Sequence, residues 1–220
     1  MIVINKLLRS RRRSIGLEVT QEAELIIRAP HRVPLNEIEK IVFKKRNWII
    51  NKQNFFRQCK SDYPEKRFIE GENFYYLGKA YRLKLVDEGG IRLSEYLEFP
   101  RNLLLNAKVN LVQWYKICAY ERIKERADYY AKIIGKPYSD IKISNAKKRF
   151  GSCSFKGSLN FNWRMIMAPL EIIDYVVVHE LTHLEERNHS FRFWNKVGKI
   201  MPDYKEKRFL LKNSHRLFDL

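Results

Sequence analysis

The chain has 220 residues, of which 45% are hydrophobic, enough to bury the core of one large domain or two small ones. Its 43 basic residues outnumber its 25 acidic ones, and the formal net charge of +18 favours polyanionic partners, although a solvated basic surface explains it equally well. No apolar run approaches the ~20 residues of a membrane helix, which excludes a membrane span of that kind.

The N-terminal part is predicted to contain strands followed by one helix. Polar and apolar residues alternate over residues 14–20, a turn follows, and residues 25–28 form a returning strand. Residues 34–58 predict a single amphipathic helix, because Pro34 suits a first turn and apolar residues recur at helical spacing. The basic residues of this helix could lie on DNA or RNA, but such a pattern is more often a solvated face.

The middle of the chain alternates between short strands and one long helix. Residues 67–97 predict antiparallel strands separated by turns that contain glycine, beginning with a strand at residues 68–70. Residues 107–134 predict a long helix, which Gly135 ends. Further strands are expected at residues 140–144 and 158–163.

The segment from Tyr175 to Trp194 reads YVVVHELTHLEERNHSFRFW and carries the strongest functional signal. His179, Glu180 and His183 form an H-E-x-x-H motif, which on a helix places both imidazoles on one face, within reach of one metal ion. Glu180 would stand close enough to hold a metal-bound water. The alternative is a pair of hydrogen-bonded core histidines, but burying them among acids in so apolar a helix is costly unless they are paired or bind metal.

His189 is the third candidate ligand, six residues after His183. Asn188 can adopt the left-handed conformation that a return toward the metal requires. Ser190 predicts an N-cap, which would fix His189 at the entrance of the next helix. Three protein ligands with one open position define a catalytic Zn²⁺ site. A surface histidine is the alternative.

The three cysteines are odd in number and far apart, at Cys59, Cys118 and Cys153. They form no C-x-x-C pair, so neither a disulfide framework nor a thiolate zinc site is predicted. A reducing, cytoplasmic location is expected. A secretory signal is not, because the first arginines follow the short N-terminal apolar stretch instead of preceding it.

Taken together, these motifs resemble the YgjP-like metallopeptidase family, a neighbour of the SprT-like and Wss1-like (WLM) zincins. The resemblance covers nearly the whole chain. Beyond the zinc motif it rests on YLGK at 76–79, RFGSCS at 149–154, LNFNWR at 159–164, NHS at 188–190, and MPDYK at 201–205 followed by Arg208. The chain departs from the family at Phe150, where tryptophan is usual, and the tail after Lys212 has no counterpart. Glu186 also stands where the long metzincin motif has glycine.

The resemblance implies an α+β fold in two parts. A zincin-like catalytic domain, with helices packed on a small sheet, would span residues 104–220, and a basic strand-helix-strand region would span residues 1–103. The turn at residues 149–154 and residues 161–164, at the end of the strand 158–163, would lie near the cleft, where a strand commonly pairs with extended substrate. The candidate substrate-binding residues are Arg149, Asn162 and Arg164, with Tyr204 as a possible donor to a developing oxyanion. Bracing of the fold is an equal alternative for the two arginines.

The predicted function is zinc-dependent hydrolysis of a peptide bond. His179, His183 and His189 would hold Zn²⁺, and Glu180 would act as general base. Three alternatives stay open: a metal-dependent nucleoside triphosphate pyrophosphohydrolase, which resemblance to YgjP-type proteins permits; a DNA-associated protease of Wss1 or SprT type; and a non-catalytic nucleic-acid-binding module. The sequence leaves the substrate, the need for an activating partner and the oligomeric state undecided.

Overall fold

A computed structural model describes residues 2–20, 22–62, 66–146 and 149–213 of the chain. Two separate hydrophobic cores form, one within residues 1–65 and the other within residues 66–220. The tail from residue 214 onward, for which the family resemblance has no counterpart, lies outside the described residues.

The first unit is a three-stranded sheet with two helices. The central strand β3 buries Leu25, Ile27 and Ala29 completely, and Ile38 and Ile49 of the helices are equally buried. β3 pairs in parallel with β1 and antiparallel with β2. The elements are β1 (Lys6–Ser10), β2 (Gly16–Val19), β3 (Leu25–Pro30), α1 (Leu35–Lys44) and α2 (Arg46–Asp62).

The helix predicted over residues 34–58 is in fact two helices. Lys45 ends α1 with φ −99° and ψ 11°, outside the helical region, and α2 begins at the next residue. The change of direction lets α1 bury Ile38 and Val42 while α2 buries Ile49. A break of this kind leaves the apolar spacing almost intact, so the sequence pattern did not reveal it.

The second unit begins with a four-stranded sheet in the order β4-β5-β7-β6. The predicted strand at residues 68–70 is wrong: Phe68 has a φ of 56°, and the Glu72 carboxylate accepts hydrogen bonds from the amides of Arg67 and Phe68 at 3.1 and 2.7 Å. β5 pairs in parallel with β7, not in an antiparallel meander. The strands are β4 (Asn73–Tyr76), β5 (Lys79–Val86), β6 (Arg92–Leu93) and β7 (Leu97–Pro100).

The two compact units divide at residue 65, whereas the sequence places a domain boundary at residue 103. The reason is hydrophobic packing. Phe74, Leu83 and Phe99 of the four-stranded sheet lie in the same core as the helices that follow. The sheet therefore belongs to the unit that carries the histidine motif.

The long helix α3 (Ala107–Ile134) has the predicted bounds, and Gly135 ends it with a φ of 73°. A second sheet follows in the order β8-β10-β9, in which β10 pairs in parallel with β8 and antiparallel with β9. Mixed helices and small sheets confirm the predicted α+β class. The remaining elements are β8 (Asp140–Ser144), β9 (Gly151–Cys153), β10 (Ser158–Asn162), α4 (Leu170–Thr182), α5 (Phe191–Ile200) and α6 (Tyr204–Asn213).

The face of α6 differs from the prediction. The adjacent apolar residues Phe209 and Leu210 predict a buried side for this helix, but they are 66% and 42% exposed. Tyr204, Lys207 and Leu211, spaced at i, i+3 and i+7, form the inner face instead, and the Lys207 side chain is only 17% exposed. Because a lysine lies in the middle of this inner stripe, the spacing of apolar residues did not predict which face is buried.

Two sequence expectations concern thiols and membranes. Cys118 and Cys153 are free thiols, and burial raises the pKa of Cys118 to about 11. Within the described ranges, no helix is both long enough and apolar enough to cross a lipid bilayer.

Candidate metal site

The helix α4 presents two of the three histidines. It is buried along almost its whole length, and its last turn brings His179 and His183 to one face. The chain then turns, and His189 comes back beside them. One ligand nitrogen from each histidine lies within 4.8 Å of the other two, and the Nε2 atoms of His179 and His189 are 2.9 Å apart.

The surroundings fix the orientation of the rings. Nδ1 of His183 lies 2.9 Å from the carbonyl oxygen of Glu186, so a proton on Nδ1 is held there and Nε2 is left with a free lone pair. The Ser190 hydroxyl accepts a hydrogen bond from the Phe193 amide at 3.4 Å, which confirms the predicted N-cap of α5. His189 therefore stands at a fixed helix entrance.

Two aromatic residues of α5, Phe193 and Trp194, pack against the three imidazoles. Phe193 is fully buried, and its ring centroid lies 4.6 to 4.9 Å from each of the three imidazole centroids. Trp194 stacks on His189 at 5.6 Å with an interplanar angle of 24°. Neither residue was predicted to lie at the site, although both belong to the family resemblance and follow His189 by four and five residues.

The histidine set fits a divalent metal. Burial, followed by the charges of His183, His189 and Arg208, lowers the pKa of His179 to about 3, and burial also lowers the pKa of His189. Both shifts favour the neutral imidazole, the form that binds a metal. Nitrogen ligands of one zinc ion lie about 3.3 Å apart, close to the Nε2–Nε2 distance. Nδ1 of His179 is buried without a hydrogen-bond partner among the described residues.

Glu180 is 5% exposed, follows His179 directly on α4, and faces strand β9. Burial raises its pKa to about 8, and the positive charge of Arg149 opposes that rise. The backbone of β9 lies directly against it: a Cβ atom on Gly151 would be 2.6 Å from Oε1 of Glu180 and 2.7 Å from its Cγ. Sequence reasoning missed this role of Gly151.

Arg149 and Tyr204, two of the predicted substrate-binding residues, lie around the site. Arg149 is exposed and close enough to Glu180 to affect its pKa. Tyr204 stacks on Trp194 with centroids 5.3 Å apart and an interplanar angle of 14°.

Asn162 and Arg164 make contacts that support the fold. The Asn162 side chain is buried, donates to the carbonyl of Ala146 at 2.6 Å and accepts from the Arg164 amide at 3.0 Å. The guanidinium of Arg164 lies 4.5 Å from the ring centroid of Trp163. β10 is also flanked by strands on both sides, so the edge strand of this sheet near the site is β9, not the predicted strand 158–163.

A family model described as "YgjP-like, metallopeptidase domain" matches residues 13–214. The chain belongs to the YgjP-like metallopeptidase family. Two solved structures are similar to this YgjP-like chain. The abylysin zymogen of Pyrococcus abyssi is 23% identical, with a TM-score of 0.40, covering 44% of this chain and 99% of its own. The jannalysin zymogen of Methanocaldococcus jannaschii is 23% identical, with a TM-score of 0.38, covering 42% and 95%. The sequence has no significant match among curated proteins.

Proposed function

We propose that this YgjP-like chain is a zinc metallopeptidase in which His179, His183 and His189 hold Zn²⁺ and Glu180 is the general base. The observation that carries the proposal is the meeting of three imidazoles beside one buried carboxylate. Three protein ligands leave a position for water and substrate, the arrangement of a catalytic site. When bound, zinc lowers the pKa of its water and polarises the attacked carbonyl.

Glu180 takes the proton of the attacking water and passes it to the leaving amine. Burial raises its pKa, so the ionised carboxylate is a stronger base than that of an exposed glutamate. Arg149 keeps the pKa from rising further. The backbone carbonyl of Glu186 holds the tautomer of His183, and Phe193 keeps water from the inner side of the histidines.

A peptide substrate is supported by β9. In the described part of the chain this strand pairs only with β10, so its other edge offers backbone groups to an extended peptide. Gly151, on the same strand, lies against Glu180. A peptide that paired with β9 would therefore pass beside the general base.

The test compares wild-type protein with Glu180→Gln on a peptide library read by mass spectrometry, with metal content measured on both. We expect one zinc per chain in each, and a loss of cleavage of about 10³-fold in the variant, the usual contribution of a general base. A wild-type protein that carries one zinc but leaves every peptide uncut, while it hydrolyses nucleoside triphosphates, would overturn the peptidase proposal.

A further inference from the structure

The helix α6 brings an arginine to the edge of the metal site. The guanidinium carbon of Arg208 lies 4.6 Å from the centroid of the Trp194 ring, and that ring stacks on His189. Tyr204, one turn earlier on α6, stacks on the same indole. Arg208 is thus separated from a metal ligand by a single aromatic side chain.

The charge of Arg208 is not paired with any acidic side chain among the described residues. Within the described residues, Arg208 forms no hydrogen bond or ion pair, and it is exposed. Its charge nevertheless acts on α4, the helix that carries His179: burial raises the pKa of Tyr175 to about 12, and Arg208 opposes that rise. The cation–π contact with Trp194 holds the guanidinium in place without neutralising it.

Two other arginines of the second unit, Arg187 and Arg126, are bound to protein groups. Arg187 donates to the carbonyl oxygens of Ser154 and Phe155 at 2.8 and 3.0 Å and so braces the turn that carries His189. Arg126 is paired with Asp174. Arg208 differs from both, because it is exposed and its guanidinium packs on an aromatic ring, with no hydrogen bond to another described residue.

We propose that Arg208 is a specificity-determining residue that binds a substrate carboxylate close to the scissile bond, so that acidic peptides are preferred. The inference rests on the proposed peptidase function. A guanidinium presents a planar set of donors that matches a carboxylate, and here it is held in advance by an aromatic ring. The carboxylate comes from an aspartate or glutamate side chain or from the peptide C-terminus.

The experiment measures kcat and KM for matched peptides. One pair differs by Glu or Gln beside the cleaved bond, and the other by a free or amidated C-terminus. In wild-type protein we expect the peptide with the carboxylate to have a kcat/KM about 10- to 100-fold higher, as for a hydrogen bond to a charged group. The pair that shows the difference identifies the source of the carboxylate.

In Arg208→Gln the ratio of kcat/KM for the acidic peptide to that for its neutral partner should fall to near 1, chiefly through a higher KM for the acidic peptide. Arg208→Lys should restore part of this ratio. The control is Lys199→Gln, which removes one exposed positive charge from α5 and should keep the wild-type ratio. If peptides are cleaved but the ratio is near 1 in wild type, or survives Arg208→Gln, the inference is wrong and the peptidase stands. If wild-type protein cleaves no peptide, both fall.

Discussion

Glu180 owes its position to a residue that has no side chain. Gly151 lies so close to Glu180 that a Cβ atom on residue 151 would overlap the carboxylate. Sequence spacing predicted His179, Glu180 and His183 because their arrangement follows from the geometry of one helix. The contact with Gly151 joins residues far apart in the chain and depends on how β9 packs on α4, which no local pattern encodes.

Gly151→Ala should therefore impair catalysis without removing the metal. A methyl group at 2.6 Å from Oε1 must displace either Glu180 or β9. We expect kcat to fall about 10²-fold, within the range for a misplaced general base, with zinc content unchanged. The control is Gly90→Ala, where an added Cβ meets nothing within 4 Å. Full activity in Gly151→Ala would show that β9 does not set the position of Glu180.

Substitution of His189, also a single-residue change, tests whether the site has three ligands. His189→Ala should weaken zinc binding by more than about 100-fold, because loss of an outer hydrogen-bond partner of a ligand alone costs 10- to 100-fold. Zinc affinity measured by competition with a chelator gives the value. His31→Ala, an exposed histidine of the first unit, is the matched control. Equal zinc affinity in the two variants would remove His189 from the ligand set.

At the scale of elements, α3 and α4 are joined by a largely buried ion pair. Arg126 donates to both oxygens of Asp174 at 2.5 and 2.9 Å, and Tyr130 donates to the same carboxylate at 3.1 Å. The helix boundaries of α3 could be predicted because its stop at Gly135 is local. The partner of Asp174 could not, because both helices carry several charged residues and periodicity does not pair them.

Asp174→Ala should destabilise the second unit by about 3 kcal/mol, because it leaves the Arg126 charge without its partner. Chemical denaturation followed by tryptophan fluorescence measures the free energy of unfolding. Glu125→Ala breaks the exposed pair between Glu125 and Arg122 on the same helix and should cost less than about 0.5 kcal/mol. Equal losses of unfolding free energy in the two variants would mean that burial of the Arg126–Asp174 pair adds nothing to stability.

At the scale of the whole molecule, the chain builds two cores, and every proposed metal ligand lies in the second. The sequence predicts an N-terminal region that ends at residue 103, whereas the contacts divide the chain at residue 65 and the β4–β7 sheet packs into the second core. Short strands and turns look alike in sequence whichever core they join. The association of Phe74 and Phe99 with α3 is decided by packing alone.

Removal of the metal should therefore lower the stability of the second unit alone. A ligand that binds only the folded state, and is present at 100 times its Kd, stabilises that state by about 2.7 kcal/mol. Removing zinc with a chelator should therefore speed amide exchange about 100-fold at those sites in α4 that exchange only through global unfolding. Hydrogen exchange with mass spectrometry compares α4 with β3 in the same sample. Exchange in β3 should be unchanged, since its core contains no proposed metal ligand. An equal increase in both would show that the two cores unfold together, and no change in α4 would mean that the histidines bind no metal in the folded protein.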